Sequence, residues 1–408
     1  MKPEEKRFSL DLIDLTKKYG SPLFVYDTTI IQKQYERLMN AFSGVHVKLH
    51  YACKALSNLE VLKFIRTLGA GLDAVSIEEV ALGIRAGYQP DQICFTPSGV
   101  GFPELEEAVH KGVKINIDNL DMLELFAQKY SEYPVCIRIN PHIMAGGNLK
   151  ISVGHIDSKF GISIHQLPHL LKLVDHWNIP VEGIHMHTGS DILDTEVFLG
   201  AVEILLNAAK SFPNLKYIDL GSGFKVPYKE GDIETNIEQL GQTISARMKT
   251  FYKEYGKEVD LIFEPGKFLV SEAGVLLTEV NTVKVSPSTL FAGVNTGFNH
   301  LIRPMFYNAY HHIENISNPT GNPRVYNVVG YLCETDTFAV NRRIAEIRVG
   351  DILSFRNAGA YCFTMSSNYN SRLKPAEVLL HKGKDYLVRR RESFEDLVKL
   401  QKKTGLFD

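Results

Sequence analysis

The sequence lacks the features that would direct the protein to nucleic acid, to a membrane or out of the cell. Its 45 basic and 47 acidic side chains leave a formal net charge of −2, so no basic excess can attract phosphate backbones or anionic lipids. No stretch reaches the roughly 20 apolar residues of a membrane span, and residues 1–10 lack the apolar run of a secretory signal. These absences predict a cytoplasmic protein without nucleic-acid or membrane partners.

Cysteine is also scarce, and the five cysteines show no paired spacing. They are Cys53, Cys94, Cys136, Cys333 and Cys362. An odd, dispersed set is typical of reduced thiols rather than of disulfides or a zinc site. We therefore expect no metal.

The first half repeats one unit, in which an apolar strand is followed by a turn and an amphipathic helix. Ser57 and Ser76 each precede a glutamate by three residues, as at a helix start, and Gly69 and Gly87 mark the helix ends. Strands are predicted at 47–55, 71–75, 92–96, 114–118, 134–139, 181–187, 217–221 and 260–264. Eight strands alternating with helices predict an α/β fold, a (β/α)8 TIM-like barrel, with a doubly wound open sheet as the alternative.

The pattern changes at about residue 270, where helical periodicity gives way to short β-rich segments. These segments are 274–285, 290–294, 325–331, 344–355 and 376–389. They predict a barrel domain over 25–270 and a C-terminal, mostly antiparallel β domain over 271–408. Residues 1–24 are predicted to form a short helix leading into a strand, and could complete the second domain.

Reactive side chains fall at the predicted C-terminal ends of the barrel strands, where the active sites of such barrels lie. Lys54 ends the first strand, Asp73 the second, Asn140 the fifth, His187 the sixth and Glu264 the eighth. A barrel built for stability alone would not need a lysine, a histidine and a glutamate at one end.

Together these residue types suit a pyridoxal-phosphate (PLP) site, although each alone has an ordinary structural interpretation. A lysine amine near apolar groups can attack a carbonyl, and Gly221–Gly223 follows strand seven, where such barrels commonly bind phosphate. Ser190 could donate a further hydrogen bond to that phosphate. Glu264 would pair with a protonated pyridine nitrogen, and the imidazole of His187 could stack on the flat ring.

Eight motifs identify a family resemblance. They are Tyr51–Ala55, Gly71–Ser76, Ser158–Gly161, His185–Ser190, Glu264–Gly266, Arg303–Tyr307, Cys333–Glu334 and Gly359–Tyr361. Over roughly residues 22–380 the sequence resembles the fold-type III PLP-dependent decarboxylases, which consist of an alanine racemase-like barrel and a β domain. The resemblance is greatest to the members that act on meso-2,6-diaminopimelate, and implies its decarboxylation to L-lysine and CO2, the last step of lysine synthesis.

The resemblance also implies roles for individual residues. Lys54 would hold PLP covalently, His187 would stack on its ring and Glu264 would pair with its pyridine nitrogen. The other cofactor-binding residues would be Asp73, Ser190, Gly221, Ser222, Gly223, Gly266 and Tyr361. The substrate-binding set would be Lys267, Arg303, Tyr307, Glu334 and Tyr361.

Our hypothesis for the mechanism is that Cys333 returns the proton to Cα. The resemblance implies that Cys333 and Glu334 reach the active site from the other subunit of a homodimer.

Two positions depart from the family pattern. Ser222 replaces the middle glycine of the phosphate turn, and Lys267 replaces an arginine that contacts the distal carboxylate of the substrate. Lysine keeps the charge but cannot form a bidentate fork.

The alternatives are therefore a decarboxylase of carboxynorspermidine, ornithine or lysine, and a non-catalytic PLP-binding protein. Ornithine and lysine lack a distal carboxylate for Arg303, and their enzymes tend to carry aspartate where this chain has Glu334.

Overall fold

A computed structural model describes residues 8–143, 158–189 and 195–406. The chain divides into two compact units. The barrel unit takes the described parts of 31–227 and 231–269, and the second unit those of 1–30, 228–230 and 270–408. Within the described ranges, no helix has the length and apolar character needed to cross a bilayer.

The chain begins with a capped helix and a strand that belong to the second unit. The side chain of Asp11 accepts a hydrogen bond from the backbone N–H of Ile13 at the start of helix α1. The elements are helix α1 (Leu12–Tyr19), strand β1 (Leu23–Asp27) and helix α2 (Thr28–Asn40). Helix α2 leads into the barrel unit.

The first sheet is parallel throughout, and eight of its described strands close into a ring. Its strands are β2 (Val47–Ala52), β3 (Gly71–Ala74), β4 (Ile93–Phe95), β5 (Lys114–Ile117), β6 (Val135–Asn140), β7 (Ile162–Ser163), β8 (Val181–His185), β9 (Tyr217–Asp219) and β10 (Asp260–Phe263). The ring runs β2–β3–β4–β5–β6–β8–β9–β10, and β10 pairs with β2 at Leu261 and Val47. This closure confirms the predicted barrel and excludes the open sheet.

Helices alternate with the barrel strands along the chain. They are α3 (Leu59–Thr67), α4 (Ile77–Arg85), α5 (Phe102–Lys111), α6 (Leu120–Tyr130), α7 (Leu167–Trp177), α8 (Thr195–Ala209), α9 (Ile237–Tyr255) and α10 (Lys267–Val270). Ser76 caps α4 as predicted, because its Oγ accepts the N–H of Glu79 at 3.2 Å. The prediction at Ser57 is wrong: Asn58 caps α3, with its Oδ1 3.0 Å from the N of Glu60.

The second unit is a mostly antiparallel sheet, as predicted. It adds strands β11 (Gly274–Val285), β12 (Leu290–Val294), β13 (Ile313–Asn315), β14 (Arg324–Val329), β15 (Thr337–Ile344), β16 (Ile352–Phe355), β17 (Ala376–His381) and β18 (Lys384–Arg389), with short helices α11 (Arg303–Tyr307) and α12 (Phe394–Val398). The strand order is β15–β14–β12–β11–β1–β17–β18, and β16 pairs with β11 and β13. Leu23 and Val25 of β1 pack with Val275, Leu277 and Val378 in its core.

Several predicted strand boundaries are corrected. The segment predicted at 47–55 leaves the sheet after Ala52, and Cys53–Ala55 form a turn of 3-10 helix. The strand predicted at 181–187 ends at His185. The segment predicted at 344–355 combines two strand ends with the connection between them, in which the N–H of Asp351 bonds the carbonyl of Arg348 at 3.1 Å.

Strand β15 was not predicted, since polar residues in its second half break the apolar alternation. These residues are Asn341, Arg342 and Arg343.

Candidate active site

Lys54 lies just beyond the C-terminal end of β2, beside a buried carboxylate on the neighbouring strand. Its Nζ is 3.5 Å from Oδ2 of Asp73, whose side chain is 1% exposed whereas that of Lys54 is 40% exposed. Burial raises the pKa of Asp73 to about 6, and the charge of Glu264 acts in the same direction while Lys54 opposes it. The amine is therefore held by one acidic neighbour and remains accessible.

Glu264 follows β10 and belongs to a buried group of three acid–base side chains. Strand register places His185 opposite Asp219 at the ends of β8 and β9, and the Nε2 of His185 lies 3.1 Å from Oε2 of Glu264. One ring nitrogen of His185 and one carboxylate oxygen each of Asp219 and Glu264 lie within 4.8 Å of one another. Oε1 of Glu264 is buried without a hydrogen-bond partner, so this oxygen can accept a hydrogen bond from a ligand.

Burial dominates the electrostatics of this group. It raises the pKa of Glu264 and, together with the charge of Glu264, that of Asp219. Burial and the charge of Arg138 lower the pKa of His185, which keeps that imidazole neutral. The charges of Lys54 and, to a smaller extent, Arg138 oppose the rise in the pKa of Glu264. Arg138 is 6% exposed on β6, and its guanidinium lies 4.8 Å from the ring centroid of Phe160.

The turn after β9 is packed against His187 and Glu264. Gly221 has φ +64, and a Cβ there would lie 2.6 Å from the carbonyl oxygen of Met186 and 2.7 Å from Nδ1 of His187. The N–H of Ser222 donates to Nδ1 of His187 at 3.3 Å, and the N–H of Glu264 donates to the carbonyl of Gly221 at 2.8 Å. Only glycine fits the first position of this turn without displacing its neighbours.

Of three other residues predicted to bind the phosphate or the substrate, the structure describes two. Gly266 is buried, and its carbonyl accepts the N–H of Leu269 at 3.1 Å. Lys267 begins helix α10 and is partly buried. Ser190 lies outside the described residues.

In the second unit, Arg303 lies among three tyrosine rings. Its guanidinium carbon is 5.5, 5.8 and 6.0 Å from the ring centroids of Tyr228, Tyr307 and Tyr361. Tyr361 has φ +57, an uncommon conformation for a large side chain. Aromatic faces stabilise a guanidinium and orient its plane.

Cys333 and Glu334, also in the second unit, are exposed and contact a pair of residues downstream. Asn370 donates from Nδ2 to Sγ of Cys333 at 3.0 Å and accepts the N–H of Cys333 at 3.0 Å. The hydroxyl of Tyr369 donates to Oε1 of Glu334 at 2.9 Å and lies 3.7 Å from Sγ of Cys333. The thiol and the carboxylate are thus held side by side.

The geometry adds residues that the sequence analysis did not assign to the site. They are Arg138, His185, Asp219, Tyr228, Tyr369 and Asn370. Arg138 and Asp219 had a signal, since each is a charged residue within a predicted barrel strand. Tyr228, Tyr369 and Asn370 had none, because their partners are distant in sequence.

The fold and the barrel group define a class of protein: a closed-barrel enzyme with a site for PLP. The orphan Oε1 of Glu264 suits a pyridinium N–H, Lys54 suits an aldehyde, and the glycine turn after β9 packs too closely on Met186 and His187 to admit a side chain at Gly221.

The chain belongs to the pyridoxal-dependent decarboxylases. Residues 28–271 match the family described as "Pyridoxal-dependent decarboxylase, pyridoxal binding domain", whose cofactor is pyridoxal phosphate.

Its relatives carry a more specific name. A diaminopimelate decarboxylase of Methanothermobacter thermautotrophicus is 39% identical over 96% of this chain and 94% of that protein. A crystal structure of a diaminopimelate decarboxylase is 33% identical, with a TM-score of 0.91 over 97% of this chain and 98% of that one. The diaminopimelate decarboxylase of Helicobacter pylori complexed with L-lysine is 31% identical, with a TM-score of 0.88 over 96% and 99% of the two chains.

Proposed function

We propose that the protein decarboxylates meso-2,6-diaminopimelate to L-lysine and CO2, the last step of lysine synthesis, with PLP as its cofactor. The observation that carries this proposal is similarity along the whole chain to diaminopimelate decarboxylases, at 39% identity in one case. The Helicobacter pylori relative was crystallised with L-lysine, the expected product.

We assign the cofactor to the barrel unit, predicted over 25–270. When bound, PLP supplies an electron sink that accepts the electron pair left by departing CO2. Lys54 provides the amine that bonds the cofactor aldehyde, with Asp73 at 3.5 Å as its acidic neighbour. Oε1 of Glu264 would hold a proton at the pyridine nitrogen, and His187 would stack on the ring.

We assign the cofactor phosphate to the turn after β9 together with Ser190, Gly266 and Tyr361. Several backbone N–H groups converge in a turn of this kind, which gives it a favourable potential for an anion. The assigned residues are Ser190, Gly221, Ser222, Gly223, Gly266 and Tyr361. Ser222, whose N–H donates to Nδ1 of His187, adds a hydroxyl where the family has glycine.

We assign the distal end of the substrate mainly to residues of the second unit, predicted over 271–408. Arg303 and Lys267 are the cations for the distal carboxylate, and Glu334 is the anion for the distal ammonium. Tyr307 and Tyr361, whose rings flank Arg303, complete the substrate-binding set.

We further propose a homodimer in which Cys333 and Glu334 act in the active site of the partner, with Cys333 returning the proton to Cα. Both residues are exposed in the single chain although they are rigidly hydrogen-bonded, as expected of side chains that act on another subunit. A cytoplasmic location is supported by the five cysteines, all of which are free thiols.

Replacing Lys54 separates an enzyme from a PLP carrier. Lys54→Ala should abolish L-lysine formation from meso-diaminopimelate, by on the order of a thousandfold or more, while the circular dichroism of the chain is unchanged. Lys63→Ala, at an exposed lysine on α3, is the matched control and should keep full activity. Turnover by Lys54→Ala comparable with wild type would refute the assignment.

The same variant tests the shared site. Lys54→Ala mixed with Cys333→Ala should regain activity, because a heterodimer contains one intact site, up to about a quarter of the wild-type value for random exchange. No recovery after confirmed subunit exchange would mean that each chain builds its own site.

A further inference from the structure

His185 contacts Glu264 at the C-terminal ends of the barrel strands and has no role in the function proposed above. It is the last residue of β8, and its ring Nε2 lies 3.1 Å from Oε2 of Glu264. The side chains are 1% and 7% exposed, so water does not compete for the contact. A buried histidine–carboxylate hydrogen bond between β8 and the residue after β10, two strands away in the ring, needs an explanation, because an apolar residue would fill the space without burying polar groups.

The proton of this contact lies on His185. Burial and the nearby charge of Arg138 lower the pKa of the imidazole, so the ring is neutral and carries one N–H. Nδ1 has no hydrogen-bond partner, and Nε2 faces the carboxylate. The N–H is therefore at Nε2 and donates to Oε2.

The remaining neighbours restrict Glu264 further. A carboxylate oxygen of Asp219 lies within 4.8 Å of Glu264, and burial together with the charge of Glu264 raises the pKa of Asp219. Its Oδ1 also accepts the N–H of Gly221 at 2.8 Å. With Oε2 held by His185, the one oxygen of Glu264 without a partner is Oε1.

We propose that His185 is a positioning residue: its Nε2–H fixes Oε2 of Glu264 so that Oε1 faces the protonated ring nitrogen of the cofactor. The inference rests on the proposed role of Glu264. It adds a residue that acts on the cofactor only through that carboxylate. A carboxylate able to rotate would share its charge between the pyridinium and other buried donors, and the ring nitrogen would lose part of its protonation.

Two substitutions distinguish positioning from packing. His185→Gln keeps an amide N–H close to the position of Nε2, whereas His185→Asn has a similar amide that is too short to reach Oε2. Glutamine and asparagine are both polar and no larger than histidine, so the two variants should lose similar amounts of packing energy. His185→Phe, which preserves ring volume without a donor, is a third variant in case the asparagine protein is unstable.

The measurement compares two cofactors in each variant. One is PLP, and the other is its 1-deaza analogue, in which the ring nitrogen is replaced by C–H. We expect His185→Asn and His185→Phe to weaken PLP binding about tenfold while leaving the affinity for the analogue within a factor of two, and His185→Gln to restore most of the PLP affinity. The 15N shift of ring-labelled PLP should move towards the unprotonated form in the first two variants alone.

Equal losses for both cofactors, or an unchanged 15N shift in His185→Asn and His185→Phe, would overturn the inference and leave His185 a packing residue. Glu264→Gln separates this from failure of the proposed function. If Glu264→Gln also leaves the 15N shift unchanged, the assignment of Glu264 to the ring nitrogen fails. If Glu264→Gln shifts the signal and the His185 variants do not, only the role of His185 is wrong.

Discussion

Arg303 is the residue that we propose binds the distal carboxylate of the substrate. Its guanidinium carbon lies 5.5–6.0 Å from the centroids of three tyrosine rings, which favour a cation at this position. A planar fork in a fixed orientation suits a carboxylate better than a flexible ammonium does.

Arg303→Ala should therefore reduce kcat/KM for meso-diaminopimelate. Losing one member of a desolvated ion pair typically costs about 2–5 kcal/mol, equivalent to roughly tens- to thousands-fold. The kcat/KM of Arg303→Lys should lie between those of the wild type and Arg303→Ala. Steady-state kinetics measure the effect, and Arg324→Ala, at an arginine of the same unit that is 57% exposed, is the control. An unchanged kcat/KM in Arg303→Ala would remove Arg303 from the substrate-binding set.

Candidate site residues could be predicted where a reactive side chain lies at the C-terminal end of a predicted barrel strand. Lys54, Asp73 and Glu264 were found in this way because parallel barrel strands deliver their C-terminal residues to one end. The contact between His185 and Glu264 was not predicted. The alternation of side chains along a strand gives the face on which a side chain lies, but not its neighbour on another strand. Asp219 was overlooked beside the more conspicuous glycines at 221 and 223.

Among the elements, the turn after β9 shows what a short glycine motif can and cannot predict. Its place after the seventh strand indicated a phosphate turn. Its packing against the carbonyl of Met186 and the ring of His187 depends on the adjacent strand and was not predictable from the motif.

Gly221→Ala should weaken PLP binding by about tenfold or more, because the new methyl group would enter the space of Met186 and push the turn outward. Gly231→Ala is a matched control: Gly231 has φ +72, yet a Cβ there meets nothing within 4 Å. That substitution should cost about 1 kcal/mol of stability from backbone strain alone and leave the affinity for PLP unchanged. Absorbance titration with PLP measures both variants. Equal PLP affinities of Gly221→Ala and the wild type would show that the turn does not hold the cofactor.

At the scale of the whole molecule, the number of barrel strands and the change to a β domain were predictable, because they depend on local periodicity. The position of β1 was not. It lies between β11 and β17, pairing Leu23 with Leu277 and with Ala376, and local patterns carry no information about partners more than 250 residues away. The exact strand ends were also missed, at Ala52 and His185, because apolar residues continue beyond the last ladder hydrogen bond.

Buried histidines should make the stability of the protein fall as the solution becomes acidic. Burial lowers the pKa of His300 from 6.5 to about 4; its Nδ1 lies 2.9 Å from Oγ1 of Thr296 and its Nε2 3.1 Å from the carbonyl of Leu373. The unfolded chain binds this proton near pH 6.5 and the folded chain only near pH 4. The stabilisation is therefore complete above about pH 6.5 and is lost as pH falls towards 4.

Between pH 7 and pH 5 this one residue should contribute about 2 kcal/mol of that loss. Denaturant unfolding at both pH values should show that the free energy of unfolding falls less between pH 7 and pH 5 in His300→Gln than in the wild type. His169→Gln, at an exposed histidine of α7, should behave like wild type. A His300→Gln protein with the wild-type pH dependence would contradict the assignment of a neutral, buried His300.

The most direct test of the proposed function is CO2 release by the purified protein with PLP, measured separately on meso-2,6-diaminopimelate, L-lysine, L-ornithine and carboxynorspermidine. We predict CO2 with stoichiometric L-lysine from meso-diaminopimelate, and a kcat/KM for it at least about a hundredfold above those of the other three substrates, as expected when a charged contact is lost. Release from lysine, ornithine or carboxynorspermidine in preference to diaminopimelate would contradict the substrate and leave the PLP fold intact. Silence with all four substrates would contradict the proposed catalysis itself.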